Sequence, residues 1–243
     1  MKQEAVHHSS EMDRTLDTQE SGRVAITGAL SLAYLLLALA CLLQWGTARL
    51  WGRVDLFSGV YLGLRLLGAL HSLASSHRAF RSRSLRREWW GQTSNAATVR
   101  WVILLMLGDL MVFLDYGHWH VVSSLERPAL QGVGLGLYLL AAVWQIWTDS
   151  CLARHFSDER SQEAPTIVGP FRHMRHPRYA AAILGKIAFA LVFASIFGWL
   201  LLLPWTVLLL QKVIAEEAHL HKLFGSRYQE YAERTARLLP GLY

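Results

Sequence analysis

The sequence predicts an all-α integral membrane protein of about six transmembrane helices, the last two a short helical hairpin, with a C-terminal amphipathic helix. Three observations predict it. Of the 243 residues 53 % are apolar and 17 % charged, less charge than a soluble domain of this size carries, and the mean hydropathy is +0.24. The apolar residues are gathered into blocks of about 20, the length that crosses a hydrocarbon core of roughly 30 Å. Arginines are concentrated in two polar segments between blocks, one holding Arg78, Arg81, Arg83, Arg86 and Arg87, the other Arg154, Arg160, Arg172, Arg175 and Arg178.

Taken in chain order, residues 1–23 are polar and lack apolar periodicity, as a mobile cytoplasmic tail does. The first span covers 24–45; it is too long for a signal core, has no small-x-small cleavage site, and reads as an anchor. A second span at 54–74 leads into the arginine-bearing segment 75–98. A third at 99–119 and a fourth at 129–148 follow, then the second arginine segment, 149–179. Residues 180–215 are apolar almost throughout, too long for one span, and Gly198 near the centre with Pro204 beyond offers a break. A basic amphipathic tail, 216–243, closes the chain. The expected division is a tail at 1–23, a four-span region at 24–148 and a functional region at 149–243.

If the spans alternate, both arginine segments lie on one side, and the positive-inside rule places them and both termini in the cytoplasm. The net charge of +6 therefore suits lipid headgroups and topology rather than nucleic acid. Cys41 and Cys151 cannot make a disulfide framework. His219 and His221, two residues apart, fall on different helix faces, so no metal site is expected. Gly132, Gly134 and Gly136 are expected to allow close helix packing.

Arg65, His71, Asp109 and Asp115 stand inside apolar blocks, where ionisable groups are costly and face partners. Arg65 and Asp109 each lie about ten residues, or about 15 Å, from the cytoplasmic ends of their spans. An Arg65–Asp109 ion pair is expected, as a clamp between helices or a substrate contact.

The chemistry-bearing stretch is Gly169-Pro170-Phe171-Arg172-His173-Met174-Arg175-His176-Pro177-Arg178-Tyr179. Pro177 pushes His176 towards an extended conformation, so the chain is expected to be non-helical here, with backbone groups free to bind something polar. Past the hairpin come Glu216-Glu217, Phe224-Gly225-Ser226-Arg227-Tyr228 and Leu238-Leu239-Pro240. A hairpin returns the glutamates to the side of His176 and Tyr179.

In that order, from about Leu152 onward, these motifs resemble the isoprenylcysteine carboxyl methyltransferase family, with phospholipid methyltransferases as more distant relatives. The resemblance implies S-adenosylmethionine as cofactor, wrapped by Phe171, His176, Pro177, Arg178 and Tyr179, with Glu216 on its amino or ribose groups. It implies a further contact from the altered segment Pro165-Thr166-Ile167. Lys212 stands where the isoprenylcysteine enzymes have a substrate-facing arginine, and a lysine lacks the bidentate fork for a carboxylate. The implied acceptor is a lipid or hydrophobic small molecule with a carboxyl, amine or thiol. An amine or hydroxyl needs a general base, for which His173, His176 and Glu217 are the nearby candidates. Two other readings remain: an NADPH-dependent membrane reductase of the sterol-reductase type, and a non-catalytic protein of the same fold.

Overall fold

A computed structural model describes residues 55–79, 96–119, 121–122, 127–157 and 164–241. Their regular elements are all helices: α1 (Leu56–Ala79), α2 (Ala96–Leu114), α3 (Pro128–Ser157), α4 (Pro177–Val192), α5 (Ile196–Phe224) and α6 (Ser226–Arg234). A π-helical turn, Asp115–Trp119, extends α2, and a 3-10 turn, Gly169–Arg172, precedes α4. The expected first span, 24–45, the side chain of His71 and most of the first arginine segment lie outside the described residues.

Several of the helices begin on a recognisable signal. Asp55 caps α1: its Oδ1 accepts from the Ser58 backbone N–H at 2.8 Å. Pro128 and Pro177 open α3 and α4 at the first helical position, where a missing N–H leaves no intrahelical bond unmade. Among the described helices, two are long and apolar enough to cross a membrane, at Pro128–Leu152 and Ile196–Phe224. Both overrun the expected spans. The 29 residues of α5 extend about 43 Å, more than a bilayer core of roughly 30 Å, and Glu216 and Glu217 lie in its last turns.

The hairpin forms, but its break is not at Gly198. The chain turns at Phe193-Ala194-Ser195, with Ala194 in the left-handed region (φ 48°). Ser195 then caps α5 by accepting from the Phe197 N–H at 3.2 Å. Gly198 lies inside α5, and the reason it is glycine is proximity: a Cβ there would stand 2.9 Å from the Ala190 Cα. Pro204 also sits within α5 without ending it.

Small residues likewise seat α4 on α3. A Cβ on Gly134 would meet the Leu191 Cβ at 2.7 Å and the Val192 backbone N at 2.8 Å, whereas Gly136 faces open space. So only part of the expected glycine stripe is a packing surface. Gly134→Ala is expected to lower stability by about 1–3 kcal/mol, while Gly136→Ala stays within about 1 kcal/mol; thermal unfolding in one detergent checks both.

The two ends of the bundle differ. At one end Tyr61, Val112, Phe113, Tyr116, Phe189, Val192 and Phe193 form an apolar core, edged by buried polar groups. There Asp115 Oδ2 accepts from Ser195 Oγ at 2.6 Å, the Tyr116 hydroxyl donates to Asp55 Oδ2 at 2.5 Å, and Gln131 Nε2 donates to the Val192 carbonyl at 3.0 Å. Bundle-end polar pairing of this kind ties α1, the end of α2, α3 and the hairpin turn together. The opposite end holds Asp149, Arg178 and the Arg175–Glu217 pair, and a smaller apolar cluster of Leu209, Val213 and Leu238 packs there against Tyr179 and Trp205.

Midway between the ends, Lys186 of α4 makes an ion pair with Asp109 of α2. The sequence reading had left Lys186 among the apolar positions. Its ammonium also lies 5.0 Å from the Phe189 ring centroid and 5.9 Å from that of Trp205. Arg65 and Asp109 are both close enough to act electrostatically on Tyr61 and on Lys186, and Arg65 reaches the Tyr138 hydroxyl. Arg65 and Asp109 thus act on the same neighbours, and Asp109 has in Lys186 a partner that the sequence did not suggest.

Candidate cofactor site

The site is assembled from three pieces of chain that are distant in sequence: the turn before α4, the end of α5, and the segment after α6. Its local geometry begins with Gly169 at φ 61°, a left-handed conformation that only glycine adopts without strain. A Cβ there would also strike Cys151 Sγ at 2.6 Å, so the turn lies directly on the end of α3. Pro170 then starts the 3-10 turn, whose carbonyl at Pro170 accepts from the N–H groups of His173 and Met174, both at 3.2 Å.

Beyond the turn the chain pairs with its own C-terminal tail. Met174 and Ala236 form a parallel bridge. Arg175 N–H donates to the Ala236 carbonyl at 2.8 Å, His176 N–H to the Arg237 carbonyl at 3.1 Å, and Ala236 N–H to the His173 carbonyl at 3.2 Å. The segment that follows α6 thus latches the motif loop. Tyr231 of α6 adds a hydroxyl bond to the Phe171 carbonyl at 2.7 Å. Burial raises the Tyr231 phenol well above its ordinary range, so it stays a neutral donor.

The loop does not remain non-helical through Tyr179, as had been expected. Pro177 is the first residue of α4, and the His176 carbonyl accepts from the N–H groups of Tyr179 and Ala180 at 3.1 and 3.2 Å. The expectation failed because proline forbids helix before it, not after it. His176 itself lies outside the helical region without being extended (φ −124°, ψ 58°), and no side chain caps the helix that follows.

The two adjacent glutamates have separate fates. Glu217 is fully engaged: Arg175 Nε stands 2.9 Å from Oε1, Arg237 Nη2 2.8 Å from Oε2, and His176 Nε2 3.4 Å from Oε1. His176 Nε2 makes no hydrogen bond at that distance. Burial would push the Glu217 carboxyl up, but the His176, Arg237 and Arg175 side chains outweigh it and hold the acid at about 2. Arg175 also donates to the Thr235 carbonyl at 2.9 Å and to that of Ala232, closing the C-terminus of α6.

Glu216 is different. Its side chain is 11 % exposed, and the nearest basic atom is His176 Nδ1 at 3.8 Å. No lysine or arginine pairs with it among the described residues. It faces the Tyr179 hydroxyl, and burial together with the Glu216 charge raises the Tyr179 phenol well above its usual range. A neutral phenol beside a desolvated, unneutralised carboxylate is an arrangement suited to a positively charged ligand.

Of the expected residues, the structure brings His176, Pro177, Tyr179 and Glu216 together. Phe171 is buried one turn away, engaged through its carbonyl. Arg178 points to α3, where its Nε stands 3.0 Å from Asp149 Oδ1 on the surface. Pro165, Thr166 and Ile167 form an extended approach to the turn, with Ile167 60 % exposed. Lys212 is half-buried, one turn before Glu216 on the same face of α5. Arg175, Glu217 and Arg237 hold the site in shape. Their one sequence signal was an arginine loop in a chain with an acidic pair further on, and the partner from the tail carried none.

A sequence model described as phospholipid methyltransferase matches residues 129–227. The match runs from the start of α3 into α6, so it includes the fourth expected span, to which no motif had been assigned, as well as His176, Tyr179, Lys212 and Glu216. This stretch is phospholipid methyltransferase-like, and that family is one of methyltransferases. No curated protein matches the chain.

Proposed function

We propose that this chain is a multi-pass membrane methyltransferase that takes its methyl group from S-adenosylmethionine and passes it to a lipid or other membrane-soluble acceptor. The observation that carries the reading is the half-buried Glu216 carboxylate beside Tyr179, left among the described residues without a lysine or arginine partner while its neighbour Glu217 has two arginines. A sulfonium cofactor with an ammonium group supplies the positive charge that such a carboxylate lacks. When bound, it provides an electrophilic methyl that a nucleophile displaces in line.

The residues present fit that group. Glu216 offsets the cation and orients its amino group. Tyr179 hydrogen-bonds without contributing charge, and Pro177 fixes the first turn that presents it. The tail latch at Ala236–Leu238 keeps water from the floor of the site. Alignment of donor and acceptor then supplies much of the rate. The projecting end of α5 sets the site at a membrane surface, and arginine placement favours the cytoplasmic one. A site there joins a water-soluble donor to an acceptor that approaches between helices, with Lys212 on the approach.

Thermal-shift titration of the detergent-purified protein with S-adenosylhomocysteine, S-adenosylmethionine and NADPH tests the reading. Stabilisation by the two sulfur nucleosides is expected; stabilisation by NADPH alone overturns it. Glu216→Gln is expected to weaken S-adenosylhomocysteine binding about tenfold or more, and Tyr179→Phe by about 1 kcal/mol, both with unchanged unfolding of the apo protein.

A further inference from the structure

We propose that residues 235–238 form a strap over the candidate site, which lifts as a unit to let a ligand reach Glu216 and closes behind it. The identity of that ligand rests on the methyltransferase reading; the motion does not.

Closure is the first observation. His176 is 3 % exposed, Pro177 and Glu217 are buried, and Glu216 and Tyr179 are half-buried. Helices supply most of that cover, α4 through Pro177 and Tyr179 and α5 through the two glutamates. The tail after α6 supplies another wall. Its Leu238, 6 % exposed, clusters with Leu209 and Val213 of α5, and Tyr179, Ala182 and Ile183 of α4 pack against that cluster. Leu238 thus sits where the helices that carry Tyr179 and Glu216 come together.

Attachment is the second. The strap belongs to no helix and is held at a few points. Met174 and Ala236 form their bridge, flanked by the Arg175, His176 and Ala236 N–H bonds. Arg175 holds the Thr235 carbonyl at 2.9 Å, and Arg237 Nη2 stands 2.8 Å from Glu217 Oε2. Leu238 adds the apolar seat. These contacts fall in one short stretch, so they break together, whereas α4 and α5 are packed along their length. A segment held in this way opens well before the helices beneath it unfold.

Coupling is the third. The groups that hold the strap shut also shape the site. His176 N–H donates to the Arg237 carbonyl, and the same residue's Nδ1 stands 3.8 Å from Glu216 Oε2. Glu217, adjacent to Glu216, takes the Arg237 side chain. Lifting the strap therefore frees the loop that bears His176 and uncovers Tyr179 in one step. Closing it rebuilds the site around whatever has entered.

Hydrogen exchange on the full-length, ligand-free protein reads the motion directly. The amides of Arg175, His176 and Ala236, all bonded across the strap, are expected to exchange as one set, at least about tenfold faster than those of Ala188 and Phe189 inside α4. A single common rate for both groups overturns the proposal, because the strap would then open only when the bundle does. Ligand entry is read from the association and release rates of S-adenosylhomocysteine. Bridge partners stand about 5 Å apart, within reach of a disulfide. Met174→Cys with Ala236→Cys, in a Cys41→Ser and Cys151→Ser background, therefore ties the strap down on oxidation. Both rates are expected to fall about tenfold or more, with Kd changed far less, and reduction is expected to restore them. Leu238→Ala, which empties the seat, is expected to raise both rates about tenfold instead. Oxidised protein that exchanges ligand as fast as reduced protein overturns the strap as the route of entry. Separate exchange of the strap amides with no S-adenosylhomocysteine binding in any form leaves the motion standing and removes the methyltransferase reading.

Discussion

Asp109→Ala is expected to cost about 3–5 kcal/mol of stability, the largest effect of any single substitution in the bundle. The Lys186 side chain is 8 % exposed and that of Asp109 16 %, so neither charge has water to fall back on. Removing the carboxylate strands an ammonium between the Phe189 and Trp205 rings, and ring faces replace only part of an ion pair at such a depth. Replacing both members by apolar residues of similar volume, as in Lys186→Met with Asp109→Leu, removes the desolvation cost along with the attraction. The double variant is therefore expected to unfold within about 1–2 kcal/mol of wild type. Thermal unfolding of the three proteins in the same detergent checks the ordering. A double variant as unstable as Asp109→Ala would mean that the loss arises from packing rather than from an unpaired charge.

The second large effect is at Glu217. Its carboxylate joins Arg175 of the motif loop to Arg237 of the tail, with His176 alongside. Its folded-state acidity, at about 2, lies below the ordinary 4.5. A group depressed in this way contributes stability that is fully present above about pH 4.5, shrinks as pH falls, and is gone near pH 2. The shift corresponds to a contribution of up to about 3 kcal/mol at neutral pH. Glu217→Gln is expected to lose about 2–3 kcal/mol at pH 7, and the gap from wild type is expected to close as the pH is lowered from 4.5 to 2. Because Arg175 also closes the end of α6, the variant should loosen the tail as well. Hydrogen exchange at the Ala236 and His176 amides, both tied across the latch, should rise while the hairpin amides stay protected. A gap that persists unchanged to pH 2 would remove the ionised carboxylate as the source of the stability.

These two carboxylates show why a site can be partly legible in a sequence. The acidic pair could be read as returning near His176, because a helical hairpin must bring the chain back to the end it left. Which of the two glutamates stays available was implied by the family resemblance and not by the chemistry of the residues. Adjacent residues on a helix point about 100° apart, and which direction holds arginines depends on where the tail docks. Arg237 lies 20 residues beyond Glu217 in an irregular segment, and its approach follows from the parallel pairing of Ala236 with Met174. Lys186 was missed for a related reason. One lysine in an apolar run barely alters hydropathy, and its importance appears only when Asp109 arrives from another helix.

The hairpin break is instructive in the other direction. Glycine and proline are strong breakers in water, yet Gly198 and Pro204 both lie within α5. The residue that stops the helix is unremarkable in sequence, an alanine in the left-handed region. Ser195 then caps α5 and also bonds to Asp115.

The sequence by itself determined that the chain is helical and rich in membrane-length apolar blocks, since block length and period depend only on neighbouring residues. It also determined that the arginine loop and the acidic pair share one end of a hairpin, because the connection is too short for any other course. The tertiary structure alone decided which charges are neutralised and which remain. Glu217 and Asp109 received arginine or lysine partners from elsewhere in the chain, whereas among the described residues Glu216 met only His176 and Tyr179. That outcome depends on desolvation and on the distance between groups from different helices, quantities that no run of consecutive residues contains.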